Sequence, residues 1–288
     1  MATDSKEAEA KARRSQHPDF KKLSPDSGWT FGAGANHTQA NTSASAATAK
    51  HIFVDPYAPD RTLISNYKLL VGAIVPRPIA FISTRARDGT SENLAPMSFF
   101  QLINVDPPLF VIGIVSPLTD AKDTLRNLLE TSECVINIIS EGFVEAANAT
   151  SIDTPYGVSE WDVSGLTPMY DCQTVSCARV KESVFSIEAK LESVREFNSR
   201  INLGSKSGSM VIVEATRFWA REDAINEDKT NLDLAVLRPV SRLGGVMYGR
   251  MTEVFELLRP GFENDLKGME GVKKLKEQRE VDGTVRTA

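Results

Sequence analysis

Five short apolar runs, each of strand length and most bounded by turn-forming residues, leave this chain few ways to fold. They are residues 78–84 (PIAFIST), 98–105 (SFFQLINV), 109–115 (LFVIGIV), 134–139 (CVINII) and 209–219 (SMVIVEATRFW). Length and β-branched or aromatic content make each a strand rather than a helix. Arg87-Asp88-Gly89-Thr90 is a hairpin signal, and Asp106-Pro107-Pro108 forces a turn between the second and third runs. Those two runs are apolar at nearly every position, which predicts burial on both faces. Residues 183–196 alternate loosely, as a half-buried strand does. One segment, 119–130 (TDAKDTLRNLLE), switches to a helical period: Leu125, Leu128 and Leu129 form one stripe, with Thr119 or Asp120 as the expected N-cap. A short helix is expected over 142–150, a long excursion over 151–167 and a Gly-rich loop over 237–250. Regular strand–helix alternation is missing. The pattern is therefore mainly β with some α, a small barrel with helical excursions, and not a doubly wound sheet.

The ends read differently. Residues 1–50 are charge-rich, then rich in Gly, Ala, Ser, Thr and Asn, and predict a disordered tail; Trp29 and Phe31 are the exceptions. The domain is expected over 51–260, and 261–288 as a charged tail or a short solvated helix. The formal net charge of −5 argues against a broad nucleic-acid surface. No apolar run reaches the roughly 20 residues that cross a bilayer, and the start of the chain has no signal-peptide pattern. Three cysteines, Cys134, Cys172 and Cys177, are odd in number and spaced unlike zinc ligands. They read as small buried hydrophobes in a reducing, cytoplasmic compartment.

The chemistry is bounded first by what is missing. No GxSxG, HExxH, Walker loop or helix-opening GxGxxG occurs, and the three histidines, His17, His37 and His51, all lie in or beside the tail. A histidine triad or histidine metal site inside the domain is thereby excluded; no metal is expected, and no single residue stands out as catalytic. What remains is small polar groups beside apolar strands: Arg77 with Ser83 and Thr84, then Asn93, Ala95, Pro96, Met97, Ser98 and Phe99, then Lys122, Asp123 and Thr124 at a helix start. A guanidinium, an ammonium, hydroxyls and the exposed N–H groups of a helix N-terminus suit a phosphate. Each also has an ordinary structural reading: a surface ion pair for Arg77, strand-end hydroxyls, a plain first helical turn. Phe99 and Phe100 point to opposite faces if both are in one strand, so at most one meets a ligand.

The order PRPIAFIST, NLAPMSFF, DPPLFVIGI, KDTLRNLLE, CVINII resembles the flavin reductase-like family of FMN-binding split barrels. VSEW (158–161) before SGLT (164–167), and RPV (238–240) with RLGG (242–245) and Tyr248, extend the resemblance over about residues 63–249. It implies a Greek-key, six-stranded split β-barrel and a homodimer with flavin near the subunit interface. It implies FMN, or FAD, lying along Ser83, Thr84 and the 93–100 segment, with its phosphate held by some of Arg77, Ser98, Lys122 and Thr124, and with Tyr248 in a nearby loop. The expected function is NAD(P)H-dependent flavin reduction with electrons passed to an acceptor. The alternatives are a flavin-binding electron carrier or store without its own turnover, a non-flavin scaffold that retains the barrel for protein contacts, against which the retained polar clusters argue, and a tightly held FMN acting on an organic substrate under the 151–167 excursion.

Overall fold

The computed structural model describes residues 26–36 and 49–281, so most of the expected tail lies outside the described residues. The chain divides into two compact units, one over 57–251 and one formed by the residues on either side of it. In the latter, Trp29 and Phe31 meet edge to face at 5.9 Å, and Gly268–Val281 forms a helix within the stretch read as a charged tail or helix.

The larger unit holds strands β1 (Ala80–Arg85), β2 (Glu92–Met97), β3 (Phe100–Val105), β4 (Pro108–Ile114), β5 (Glu133–Ile138), β6 (Pro168–Met169), β7 (Arg179–Val180), β8 (Phe185–Asn198) and β9 (Lys206–Ala220), with a small hairpin of β10 (Val240–Arg242) and β11 (Tyr248–Arg250). Its helices are α1 (Leu63–Ala73), α2 (Asp123–Thr131), α3 (Val144–Ala149), α4 (Glu160–Ser164) and α5 (Leu234–Leu237). Seven strands form one antiparallel sheet in the order β2-β1-β5-β8-β9-β4-β3. Its two edges, β2 and β3, are successive in sequence and joined only through Ser98 and Phe99. A flat sheet of this width would hold its edges about 29 Å apart, whereas the Met97-to-Phe100 link spans at most about 11 Å. The sheet must therefore roll up. Taken as one bent strand, β2 and β3 complete a ring of six: a six-stranded barrel split at Ser98–Phe99.

Alternate residues fill it. Ala80 and Ile82, Ile112 and Ile114, Cys134 and Ile136, Ile187 and Ala189, and Val211 and Val213 point inward, with Leu125 and Leu128 of α2 packed against them. The intervening residues Ile79 and Phe81 face outward and are buried with Phe143, Ala147 and Trp161 from the segments around α3 and α4. This double burial explains the unbroken apolar run at β1.

The run at 98–105 departs from its expectation. Phe100 is buried and stacks on Phe110 at 5.7 Å, but Leu102, Ile103 and Val105 are 47%, 47% and 80% exposed. As an edge strand, β3 has one neighbour in the sheet and lacks the second cover that β1 has. The start of α2 is also later than expected. Thr119 and Asp120 belong to a 3-10 turn, Leu118–Asp120, and Lys122 occupies the N-cap with no side-chain capping bond. Helix α1, capped by the Thr62 hydroxyl, gives no sequence signal because its apolar residues surround the axis instead of forming a stripe.

Cys134 and Cys177 are buried, Cys172 half-buried, and all three are free thiols. Burial pushes Cys134 and Cys172 up to about 12, so these thiols are protonated and unreactive.

Outside the barrel wall, Glu188 of β8 anchors the chain before β7. It accepts the Thr174 N–H at 2.6 Å, the Gln173 N–H at 3.0 Å and the Trp219 indole N–H at 2.6 Å, with the Thr174 hydroxyl at 2.5 Å. Burial disfavours its charge, yet these bonds together hold its carboxyl below the usual range. A lowered folded value contributes stability above the unfolded carboxyl pKa of about 4.3, lost as pH falls through the folded value. Glu188→Gln is expected to cost about 2 kcal/mol at pH 7 and much less at pH 3; urea unfolding at the two pH values checks it.

Candidate functional site

A cavity of about 570 Å³ opens beside the barrel split. One wall is β2 and the link that follows: Asn93, Ala95, Pro96, Met97, Ser98 and Phe99 all line it. Gly113 and Ile114 at the end of β4, with Val115 just beyond it, line the cavity beside this link. Phe99 is placed by its carbonyl, which accepts the Gly113 N–H at 2.7 Å. A Cβ at Gly113 would stand 3.0 Å from the Phe99 Cβ, so the crossing is this close because that position has no side chain. Of the two adjacent phenylalanines, Phe99 faces the cavity and Phe100 the core.

The start of α2 supplies Lys122, Asp123 and Thr124. Thr124 is buried, and its hydroxyl accepts the Asn93 amide at 2.6 Å, tying the helix start to β2. Among the described residues, Lys122 forms no ion pair. Burial and the neighbouring Glu160 hold the Asp123 carboxyl above its usual range, with Asp153 adding and Arg126 and Lys122 opposing.

A strap from the 151–167 excursion covers the third side, through Thr150, Ser151, Ile152, Asp153 and Thr154. It is fastened to both walls. Ser159 donates to the Glu92 carbonyl at 2.8 Å, and buried Glu160 accepts the Leu94 N–H at 3.2 Å and the Thr154 hydroxyl at 2.5 Å. Tyr156 donates to Asn127 of α2 at 3.3 Å, and the Arg126 guanidinium lies 4.4 Å above its ring. Tyr67 of α1 completes the lining. Sequence reasoning missed Glu160 and Tyr67 as wall residues. Glu160 lies in the VSEW motif, which was the available signal; Tyr67 had none.

Four of the residues singled out in the sequence are not brought to this wall. Ser83 donates to the Ala178 carbonyl, and the Thr84 hydroxyl accepts from Asn127 at 3.3 Å; both are buried one layer behind the cavity. They lie on β1, whose polar end is covered by α2 and the chain before β7. Arg77 is 7% exposed and its guanidinium is engaged by carbonyls, those of Val71 at 2.5 Å, Ile74 at 2.7 Å and Leu243 at 2.9 Å. Ser98 is its one side-chain contact with the cavity wall, at 3.4 Å. Tyr248 donates to Asn148 at 2.9 Å beneath the Arg242 guanidinium, in the β10–β11 hairpin.

A split six-stranded barrel with a strapped cavity at its seam defines the class. Within it, the chain belongs to the flavin reductase-like family, whose model, described as "Flavin reductase like domain", matches residues 72–237. An uncharacterised protein of Halalkalibacterium halodurans is 38% identical over 200 residues, covering 68% of this chain and 91% of that one. Among solved structures, nitrilotriacetate monooxygenase component B from Bacillus cereus matches with a TM-score of 0.67 and 31% identity, covering 73% of this chain and 100% of that one. The 2-nitrobenzoate 2-nitroreductase of Pseudomonas fluorescens matches with a TM-score of 0.63 and 31% identity, covering 74% and 98%. No helix among the described residues is long and apolar enough to cross a membrane.

Proposed function

We propose that the protein holds FMN in the cavity and works, as a homodimer, as an NAD(P)H-dependent flavin oxidoreductase that passes electrons to a further acceptor. The observation that carries this reading is the convergence of Lys122, Asp123 and Thr124 with Asn93, Ala95, Pro96, Met97, Ser98 and Phe99 on one cavity. The donor set suits the group: Pro96, Met97, Phe99, Ile114 and Val115 offer an apolar slot for a planar ring. Lys122, without an ion pair among the described residues, and the uncapped N–H groups of the nine-residue α2 suit a phosphate. Bound there, a flavin supplies hydride acceptance and electron transfer. The chain's own part is to orient the ring against β2, anchor the phosphate end and exclude water beneath the strap. The redox names of the Bacillus and Pseudomonas proteins support this class of chemistry.

The purified protein is expected to be yellow. Heat release and mass measurement identify the cofactor, FMN or FAD, and NADH and NADPH oxidation with free flavin tests turnover. A colourless protein that binds no added FMN sinks the reading; a tight one-to-one flavin without turnover makes the protein a carrier instead.

The homodimer is supported by apolar surface. On α1, Leu63, Ile64, Leu69 and Leu70 are all at least half exposed, as is Ile74 just after it. Patches of this kind mark interaction surfaces, and Tyr67 on the same helix borders the cavity, so a docked second copy would help close it. Leu70→Glu with Ile74→Glu is expected to convert the protein to a monomer by sedimentation equilibrium and to weaken flavin retention; an unchanged mass overturns the role of α1.

A further inference from the structure

The cavity that suits a phosphate carries more carboxylates than cations. Lys122, Asp123, Asp153 and Glu160 all line it, three acids against one ammonium. Glu160 is fixed in place, 4% exposed and bonded through both oxygens to Leu94 and Thr154. Asp123 stands at the first turn of α2, where the helix terminus and Lys122 favour its charge. Arg126, one turn on, acts in the same sense but is engaged over Tyr156. Against these stand burial, Glu160 and Asp153, and the balance leaves Asp123 easier to protonate than an ordinary aspartate. The remaining walls bring no charge to bear: β2 and the β4 end line the cavity with neutral residues, and α1 with Tyr67. A phosphate dianion entering this space meets three carboxyl groups, Glu160 buried, Asp123 half-buried and Asp153 exposed. The carboxyl already closest to taking up a proton is the one that yields.

We propose that this wall selects its ligand by charge through proton uptake: an anionic flavin enters together with one solvent proton that settles on the Asp123 carboxyl, whereas a neutral flavin enters without one. The inference rests on the flavin reading above. It makes Asp123 a specificity-determining residue, whose ionised form weakens binding of the phosphorylated ligand. Linkage fixes the sign. A ligand that favours the protonated form binds more tightly as pH falls, by up to tenfold per pH unit for each whole proton taken up.

The test uses the full chain freed of flavin, titrated with FMN and with riboflavin from pH 6 to 8.5. Calorimetry at pH 7 in two buffers of different ionisation enthalpy counts protons directly. The phosphate of free FMN titrates at a second pKa of about 6 whichever protein is present, so the difference between wild type and Asp123→Asn reads the proton uptake that depends on this carboxyl. Wild type is expected to take up a proton with FMN and none with riboflavin. Asp123→Asn is expected to take up less and to bind FMN at least threefold more tightly at pH 8. Equal uptake for FMN and riboflavin in wild type overturns the proposal without recourse to any variant, as does an Asp123→Asn profile parallel to wild type. FMN binding with the same pH dependence in both proteins leaves the flavin reading standing and removes only the proton coupling. Absence of FMN binding at every pH removes both.

Discussion

Lys122→Ala is expected to weaken FMN binding by about ten- to a hundredfold while leaving riboflavin binding within about twofold. The reasoning starts from the helix. Helix α2 begins at Asp123 without a side-chain cap, so its first-turn N–H groups keep their capacity to donate. Lys122 sits at that N-cap, on the cavity wall and, among the described residues, without an ion pair. A charge-assisted bond from its ammonium to a phosphate is worth about 1.5–3 kcal/mol. Riboflavin has no phosphate and loses nothing when the ammonium goes. Adding Thr124→Ala should widen the gap, but it also strands the Asn93 amide, which donates to the Thr124 hydroxyl at 2.6 Å in a buried setting. The double variant is therefore compared only after its near-ultraviolet dichroism and melting temperature are matched against wild type. Equal loss of FMN and riboflavin would place the phosphate away from α2.

How much of this was legible in the sequence depends on which neighbour each residue needed. The β1 run could be read because both of its faces are covered by parts of its own chain, Ile82 by the barrel interior and Phe81 by the segment around α3. The run at 98–105 looks the same in composition, yet its outward residues are bare, because position at a sheet edge is set by topology and leaves no local mark. The same limit applies to Ser83 and Thr84. Their bonds to the chain before β7 and to Asn127 appear only once the sheet has rolled. Glu160 illustrates the converse. Read along the chain it is one acid in a loop; folded, it joins β2 to the strap at the cavity wall. Pattern carries periodicity and motif order well, and carries poorly any contact made across long sequence separation.

Arg77→Ala is expected to cost about 3–5 kcal/mol of stability, where a ligand-phosphate role would predict a loss of FMN binding and little else. The guanidinium reaches the carbonyls of Val71 and Ile74 at the end of α1 and that of Leu243 in the loop before β11, at 2.5, 2.7 and 2.9 Å. Its own backbone exchanges bonds with Arg242, at 3.1 and 2.9 Å. Arg77 thus joins α1, the β10–β11 hairpin and, through Ser98, the cavity seam. Gly244 belongs to the same junction: a Cβ there would stand 3.0 Å from the Gly72 Cα, so the loop lies this close to α1 because position 244 has no side chain. Alanine at Arg77 leaves three carbonyls without their donor and opens a void where a large side chain was 7% exposed. Arg77→Lys should recover only part of the loss, since one ammonium on a flexible stem does not reproduce a planar fork that serves three acceptors. Urea unfolding of wild type, Arg77→Lys and Arg77→Ala should give that order of stability, with the residual folded Arg77→Ala protein still distinguishing FMN from riboflavin. An alanine variant as stable as wild type that no longer makes this distinction would move Arg77 from the scaffold to the phosphate site.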